Sequence, residues 1–191
     1  MPTWTTRGLR GSTLEEMLNV SIEKYREKGL ALIQKIPTPI KPMEMDKTRG
    51  QITLAFFDQK STVDYIGLVQ GVPVCFDAKE CAADTVPLQN IHAHQIRFME
   101  DFERQGGVSF IILYMTHRDE CFYIPFTDLS RFWERAQAGG RKSFTYKEID
   151  KSLEVGGTRG LALHFLEQLQ RDLDRRAARN DDAQDVRRDG G

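Results

Sequence analysis

The sequence predicts an α/β domain, a mixed β-sheet flanked by helices, and three observations predict it. Residues 61–80 hold two apolar runs, 66–69 and 72–76, around Gln70-Gly71. β-Branched and aromatic residues on either side of a two-residue glycine-containing loop specify a β-hairpin. Residues 108–115 (VSFIILYM) are almost continuously apolar, as in a strand covered on both faces. Amphipathic segments at 12–29 and 161–179 place helices outside a strand-rich middle.

A chain of 191 residues, 40% hydrophobic and 29% charged, is one soluble globular domain by default. No apolar run approaches the roughly 18 residues that span a bilayer, and the N-terminus has no signal-peptide apolar core. The expected location is cytoplasmic, with no membrane contact. Cys75, Cys81 and Cys121 have no metal-ligand spacing and are expected as free thiols. His92 and His94 are an H-x-H pair without further ligands nearby, which is weak grounds for zinc. A net charge of −1 excludes a generally cationic nucleic-acid binder. A DNA enzyme of this composition must concentrate its positive charge on one face.

In chain order, residues 1–10 are short, polar and without period, and are expected as a flexible arm carrying Arg7 and Arg10. Ser12 or Thr13 caps a helix with Glu15 or Glu16 in its first turn, and Gly29 stops it. Residues 30–35 are a first strand. Pro37, Pro39 and Pro42 then forbid a helix or a central strand. Residues 37–59 are therefore an excursion from the sheet, extended at first and returning as a strand over 50–57. Lys41, Lys47 and Arg49 lie on it. After the hairpin, 81–87 is a loop and 92–105 a helix. Residues 121–125 pair with the central strand, and 128–137 is a helix with Leu129, Phe132 and Trp133 inward. Residues 138–143 (AGGRKS) are a basic glycine-rich turn, without the spacing of a phosphate-binding P-loop. Residues 144–153 are a short helix or turn, and 180–191 a disordered tail. The expected organisation is an arm at 1–10, one domain at 11–179 with its excursion at about 37–59, and the tail.

The chemistry concentrates on the hairpin. Asp64 precedes its first strand, Asp77 ends the second, and Lys79 follows two residues later. Alternation points Asp77 and Lys79 the same way, and pairing of the two strands brings Asp64 beside Asp77. Two carboxylates and an ammonium then share one sheet end. That suits a hard divalent cation, which takes one or two carboxylates, waters and a phosphate oxygen. Asp, a dozen or so residues, then Asp-Ala-Lys is also the signature of PD-(D/E)xK nucleases. D-x-K alone is common, and a surface hairpin with ordinary charges at its ends reads equally well.

Further blocks resolve that choice. R-G-S-T-L-E-E-M-L-N from Arg10, Pro37-Thr38-Pro39, S-T-V-D-Y-I-G from Ser61, F-D-A-K-E from Phe76, P-L-Q-N-I-H-A-H-Q from Pro87 and Gly140-Arg141-Lys142-Ser143 occur in this order. With that set the chain resembles the RecU Holliday-junction resolvases over about residues 10–170. The resemblance implies a restriction-endonuclease-like fold with a projecting stalk. It also implies a homodimeric endonuclease that depends on Mg²⁺, with Mn²⁺ as a substitute, and cuts four-way junction DNA symmetrically in recombination and repair. By position, Asp64 and Asp77 become the metal-binding carboxylates and Lys79 the catalytic lysine. Thr62 and Gln95 become further catalytic and metal-site residues, and 37–59 the stalk. Arg10, Lys41, Lys47 and Arg49 are DNA contacts by charge, with Arg141 and Lys142 as further candidates. Glu15 matches a glutamate that reaches the metal site in many nucleases of this superfamily, although a capping or solvated role also accounts for it. The resemblance further implies the recombinase RecA as a partner.

The chain departs from the family in several respects: the loop between Lys79 and Pro87 is about one residue shorter, and the stretch beyond Arg171 has no family counterpart. Many relatives carry Glu where Asp77 stands, and the stalk segment Met43-Glu44-Met45-Asp46 is acidic and apolar rather than basic. Two rivals remain open on sequence. One is another PD-(D/E)xK nuclease acting on duplex or flap DNA. The other is a non-catalytic junction-binding accessory protein, against which the intact Asp64, Asp77 and Lys79 argue.

Overall fold

A computed structural model describes residues 13–57, 62–157 and 162–189. The arm at 1–10, including Arg10, lies outside them, as does the proposed cap Ser12. Helix α1 spans Thr13–Glu27 and buries Leu14, Leu18, Ile22 and Tyr25, the i, i+4 stripe that faces a core. Gly29 follows with φ +65°, the left-handed residue that ends a helix.

Strand β1 (Ala31–Lys35), the hairpin strands β4 (Tyr65–Val69) and β5 (Val72–Cys81), and strands β7 (Val108–Met115) and β8 (Glu120–Pro125) form the central sheet. Its order is β1-β4-β5-β7-β8. Only β5 and β7 run parallel; the other pairs are antiparallel. Helix α2 (Ala93–Arg104) makes the crossover between the parallel strands. The hairpin turn has φ +47° at Gln70 and +89° at Gly71, two successive positive values that match the twist of the flanking strands. Gly67 permits the approach of β1, because a Cβ there would stand 2.2 Å from the Leu32 carbonyl oxygen.

The sheet separates two cores. One joins Val74, Phe76, Phe110 and Tyr123 with α1 and the C-terminal helix α4 (Leu166–Asp189). Tyr65, Phe76, Phe110 and Tyr123 stack in a row at 4.7, 4.7 and 4.3 Å between ring centroids. The other core joins Cys75, Ile111 and Leu113 with α2 and α3 (Phe126–Gln137). The mixed sheet flanked by helices is thus the architecture expected from the sequence.

Several local expectations differ. Strand β5 continues through Asp77 and Lys79 to Cys81, because β7 pairs with it along that length. Within 81–87, expected as loop, Thr85–Pro87 forms strand β6 and pairs with β9 (Ser143–Thr145). The prolines of 37–42 do not prevent a strand. β2 (Ile40–Asp46) pairs only with β3 (Gln51–Phe57), and the register shifts just after Pro42. A two-stranded ribbon with a bulge tolerates a missing N–H that a central strand does not. Helix α4 begins at Leu166 and continues to Asp189 without a break near 180, so the expected tail is helical as far as Asp189. Residue 161, the proposed start of its stripe, lies outside the described residues.

Candidate active site

The pairing Tyr65↔Phe76 closes the hairpin ladder, so the next residues out, Asp64 and Asp77, face each other. The Asp64 backbone N–H donates to Asp77 Oδ1 at 2.8 Å. The Ala78 N–H donates to Asp64 Oδ2 at 3.0 Å. Lys79 Nζ stands 3.0 Å from Asp77 Oδ2 and 4.0 Å from Asp64 Oδ2. The convergence read from the alternation is therefore present. It lies on the sheet face that α2 covers, since Cys75 is on that face and touches Ser109, whose hydroxyl donates to the Met99 carbonyl.

Asp77 is fully buried. Burial pushes its carboxyl up to about 6; Lys79 pulls it down and Asp64 pushes it further up. Its Oδ2 is met by the Lys79 ammonium alone. Two carboxylates share that one ammonium, which leaves negative charge in excess at a buried position. A hard cation offsets that excess. Among the described residues no group of three or more His, Cys, Asp or Glu side chains is poised to hold a metal. The donor set fits an ion that keeps most of its ligands as water and substrate oxygen, as Mg²⁺ does, and not a site closed by protein.

The other residues singled out from sequence divide. Thr62 is exposed, two residues before Asp64. Gln95 is buried in the first turn of α2, over the face that carries Asp77 and Lys79. Its Oε1 accepts from the His92 N–H at 3.0 Å. That oxygen is engaged in capping, which narrows its use as a metal ligand. Glu15 approaches the sheet from the other face, where Lys35 Nζ donates to its Oε2 at 2.6 Å. Lys41, Lys47 and Arg49 are exposed on and beside the β2–β3 ribbon, and Arg49 lies 3.7 Å from Asp46. Arg141 pairs with Glu148 and donates to the Ser143 carbonyl, so it serves the local fold. Lys142 is exposed.

Two residues gain a place that sequence reasoning did not give them. Glu80 Oε1 accepts from the Leu14 N–H at 2.9 Å, which ties the start of α1 to the strand carrying Asp77 and Lys79. Its only sequence signal was membership of the F-D-A-K-E block. Lys35 lies opposite Tyr65, and the next N–H, of Ile36, donates to the Asp64 carbonyl at 2.8 Å. The Tyr65 hydroxyl donates to Asn19 Oδ1 at 3.2 Å. Burial, then repulsion from Glu15 and Asp64, holds that phenol well above its ordinary range.

The family model "Recombination protein U" matches residues 9–171. The Holliday junction resolvase RecU of Geobacillus sp. (strain WCH70) is 43% identical over 148 residues, 75% of this chain and 74% of that protein. The protein of that name from Listeria innocua serovar 6a is 39% identical over 171 residues, 87% and 85% of the two chains. The one from Oenococcus oeni is 40% identical over 148 residues, 75% of each. Among solved structures, Archaeoglobus fulgidus Hjc, described as a Holliday junction resolvase from an archaeal hyperthermophile, aligns with a TM-score of 0.43 at 14% identity, covering 75% of this chain and 90% of that one.

Proposed function

The chain belongs to the RecU family, and from that premise we propose that it is a structure-selective endodeoxyribonuclease that resolves four-way DNA junctions. The observation that carries the reading is the convergence of Asp64, Asp77 and Lys79 at one sheet end, with Asp77 buried and two carboxylates sharing a single ammonium. Phosphodiester hydrolysis needs a positioned water and charge on the phosphate oxygens. Asp64 and Asp77 would hold Mg²⁺, or Mn²⁺ in its place. A bound divalent cation supplies Lewis-acid charge to the phosphate. Lys79 is partly exposed, with 20% of its side chain accessible, so its ammonium can reach a substrate oxygen or orient the attacking water. The Ala78 and Asp64 N–H groups fix the two carboxylates and so pre-organise the site. Gln95 and Thr62 shape its border. Lys41, Lys47 and the N-terminal Arg10 supply phosphate contacts; these are sequence-independent and salt-sensitive.

We further propose a homodimer, because a near two-fold junction is met by equivalent surfaces of a two-fold protein and two sites cut opposing strands. RecA is proposed as a partner on the resemblance alone. The test is cleavage of a synthetic four-way junction against a linear duplex of the same sequence, with Mg²⁺ and with EDTA. The expected result is paired, symmetric nicks in the junction, far above duplex cutting and absent with EDTA. Equal cutting of the duplex would assign the chain to a general nuclease. Binding without cutting would assign it to an accessory role.

A further inference from the structure

The start of α2 stands beside the sheet end that carries Asp64, Asp77 and Lys79. The Ser109 hydroxyl donates to the Met99 carbonyl, and Ser109 pairs with Cys75, so Met99 lies over that rung of β5 and β7. The helix runs back against the two parallel strands, at about 1.5 Å per residue against about 3.3 Å for a strand. Gln95 is therefore level with Asp77, and the residues before Ala93 approach the level of Lys79. There the chain makes a single 3₁₀ turn, Leu88–Asn90. Its flanks are anchored. Leu88 and Ile91 are each 3% exposed and pack in the core that holds Cys75 and Val63, the residue before Asp64. The Leu88 N–H donates to the Lys142 carbonyl at 3.1 Å, and the Ile91 N–H to the Leu88 carbonyl at 3.0 Å. Between these anchors Gln89 and Asn90 are exposed to solvent. Neither carboxamide has a partner among the described residues.

The surface around this turn is cationic. Residues 85–99 contain Arg97 and neither Asp nor Glu; residues 138–147 contain Arg141, Lys142 and Lys147 and again no acid. The β6–β9 pairing and the Leu88–Lys142 bond bring the two segments together. The flanking Asp84 is taken up by His117 and Arg118. Arg141 is held by Glu148, but Arg97 and Lys142 are exposed and form no ion pair among the described residues. In a chain of net charge −1, this is a face on which a phosphate backbone can lie beside Asp64, Asp77 and Lys79. Two carboxamides on an anchored turn add what phosphate binding does not need. A carboxamide presents a donor and an acceptor side by side, which match N7 and N6 of adenine. The anchors matter because a side chain on a fixed backbone loses less freedom on binding.

We propose that Gln89 and Asn90 read base edges in the duplex arm beside the cleaved bond, while Lys142 and Arg97 hold its phosphates. The inference rests on the nuclease reading above and adds to it the residues that set sequence preference at the cut. A helix layer lies about 10 Å above a sheet, and a duplex advances about 3.4 Å per base pair. The base pairs read should therefore lie about three steps from the cleaved bond.

Single-turnover cutting of a set of synthetic four-way junctions tests this. The set keeps the branch point and permutes each base pair within about four steps of the cut. Wild type is compared with Gln89→Ala, Asn90→Ala and Lys142→Ala. Wild type is expected to favour one base pair, at one or more positions, by about tenfold or more. Gln89→Ala or Asn90→Ala should bring the favoured sequence to within about twofold of the others at one position and leave the others unchanged. Lys142→Ala should slow every sequence alike and reduce the salt dependence by about one phosphate. Gln89 and Asn90 are exposed, and a folding defect would lower all sequences together, which does not flatten a preference. A wild type that cuts every sequence equally, or a preference that both carboxamide variants keep, would overturn this inference and leave the nuclease reading standing. A wild type that cuts no junction with Mg²⁺ or Mn²⁺ would overturn both.

Discussion

Asp77 is held buried at the end of a strand, with one carboxylate oxygen bonded by a backbone N–H and the other facing only an ammonium. This is costly without a cation, and the cost depends on pH. Burial raises its carboxyl to about 6 in the folded chain, against about 3.9 for a free aspartate. The folded state therefore binds the proton more tightly than the unfolded state. The stabilisation is complete below pH about 4 and is lost as pH rises through about 6. Asp77→Asn removes the buried charge and keeps the shape. We predict that, free of metal, it matches wild type at pH about 4 and below and exceeds it by about 1–3 kcal/mol at pH 8. Thermal unfolding at the two pH values checks this; a variant less stable than wild type at pH 8 would contradict it. In wild type, Mg²⁺ should raise the melting temperature above pH about 6 and have little effect near pH 5, because the ion competes with the proton. The residues of this site were legible because their spacing is short. Thirteen positions separate Asp64 from Asp77 across a tight turn, and alternation alone aims Lys79. The pairing of Lys35 with Glu15 was not legible, because it joins a strand to a helix and no local pattern specifies it.

At the scale of elements, the site depends on how closely β1 and α1 approach the hairpin. A Cβ at position 67 would lie 2.2 Å from the Leu32 carbonyl oxygen. Gly67→Ala should therefore push β1 away and cost about 1–3 kcal/mol. Because the Ile36 N–H bonds the Asp64 carbonyl, junction cutting should fall with stability, and a folded variant with unchanged cutting would contradict the link. Glu80→Ala removes the acceptor for the Leu14 N–H and should cost about 1 kcal/mol, with Glu80→Gln recovering most of it. Chemical denaturation of both variants checks the pair. The hairpin, α1, α2, β7 and β8 were legible from periodicity and turn residues, which act over a few positions. Strand β2 was not, because its prolines argue against a central strand and the ribbon is not one. The β6–β9 pairing joins residues far apart in sequence through three-residue strands, too short to show alternation.

At the scale of the whole molecule, α4 is locked to the sheet by buried polar groups. The Tyr123 hydroxyl donates to Asp172 Oδ2 at 3.0 Å, and Arg176 lies 3.1 Å from the same oxygen. Arg176 also clasps Glu103, which accepts from the Ser109 N–H. Asp172 and Arg176 stand just beyond the stretch matched by the family model, which ends at 171, yet they join α4 to α2, β7 and β8. Asp172→Ala should cost about 1–3 kcal/mol, since it leaves the buried Tyr123 hydroxyl without its acceptor and takes one partner from the half-buried Arg176. A melting temperature unchanged from wild type would contradict this. The hairpin and the one continuous apolar strand were legible, but the order of the sheet was not, because β1 joins β4 and β5 joins β7 across long connections. The continuation of α4 was not legible either, because the sequence of its last turns is rich in charge and resembles a solvated tail.

The central claim is that Asp64, Asp77 and Lys79 cut junction DNA and do not merely bind it. The most direct measurement is single-turnover cleavage of a four-way junction by wild type and Asp77→Ala, with junction binding measured on the same samples. We predict that cleavage falls by about a thousandfold or more while binding stays within about threefold. Cutting by Asp77→Ala at the wild-type rate would place the chemistry elsewhere, and a wild type that binds the junction without cutting it under any divalent metal would contradict the account.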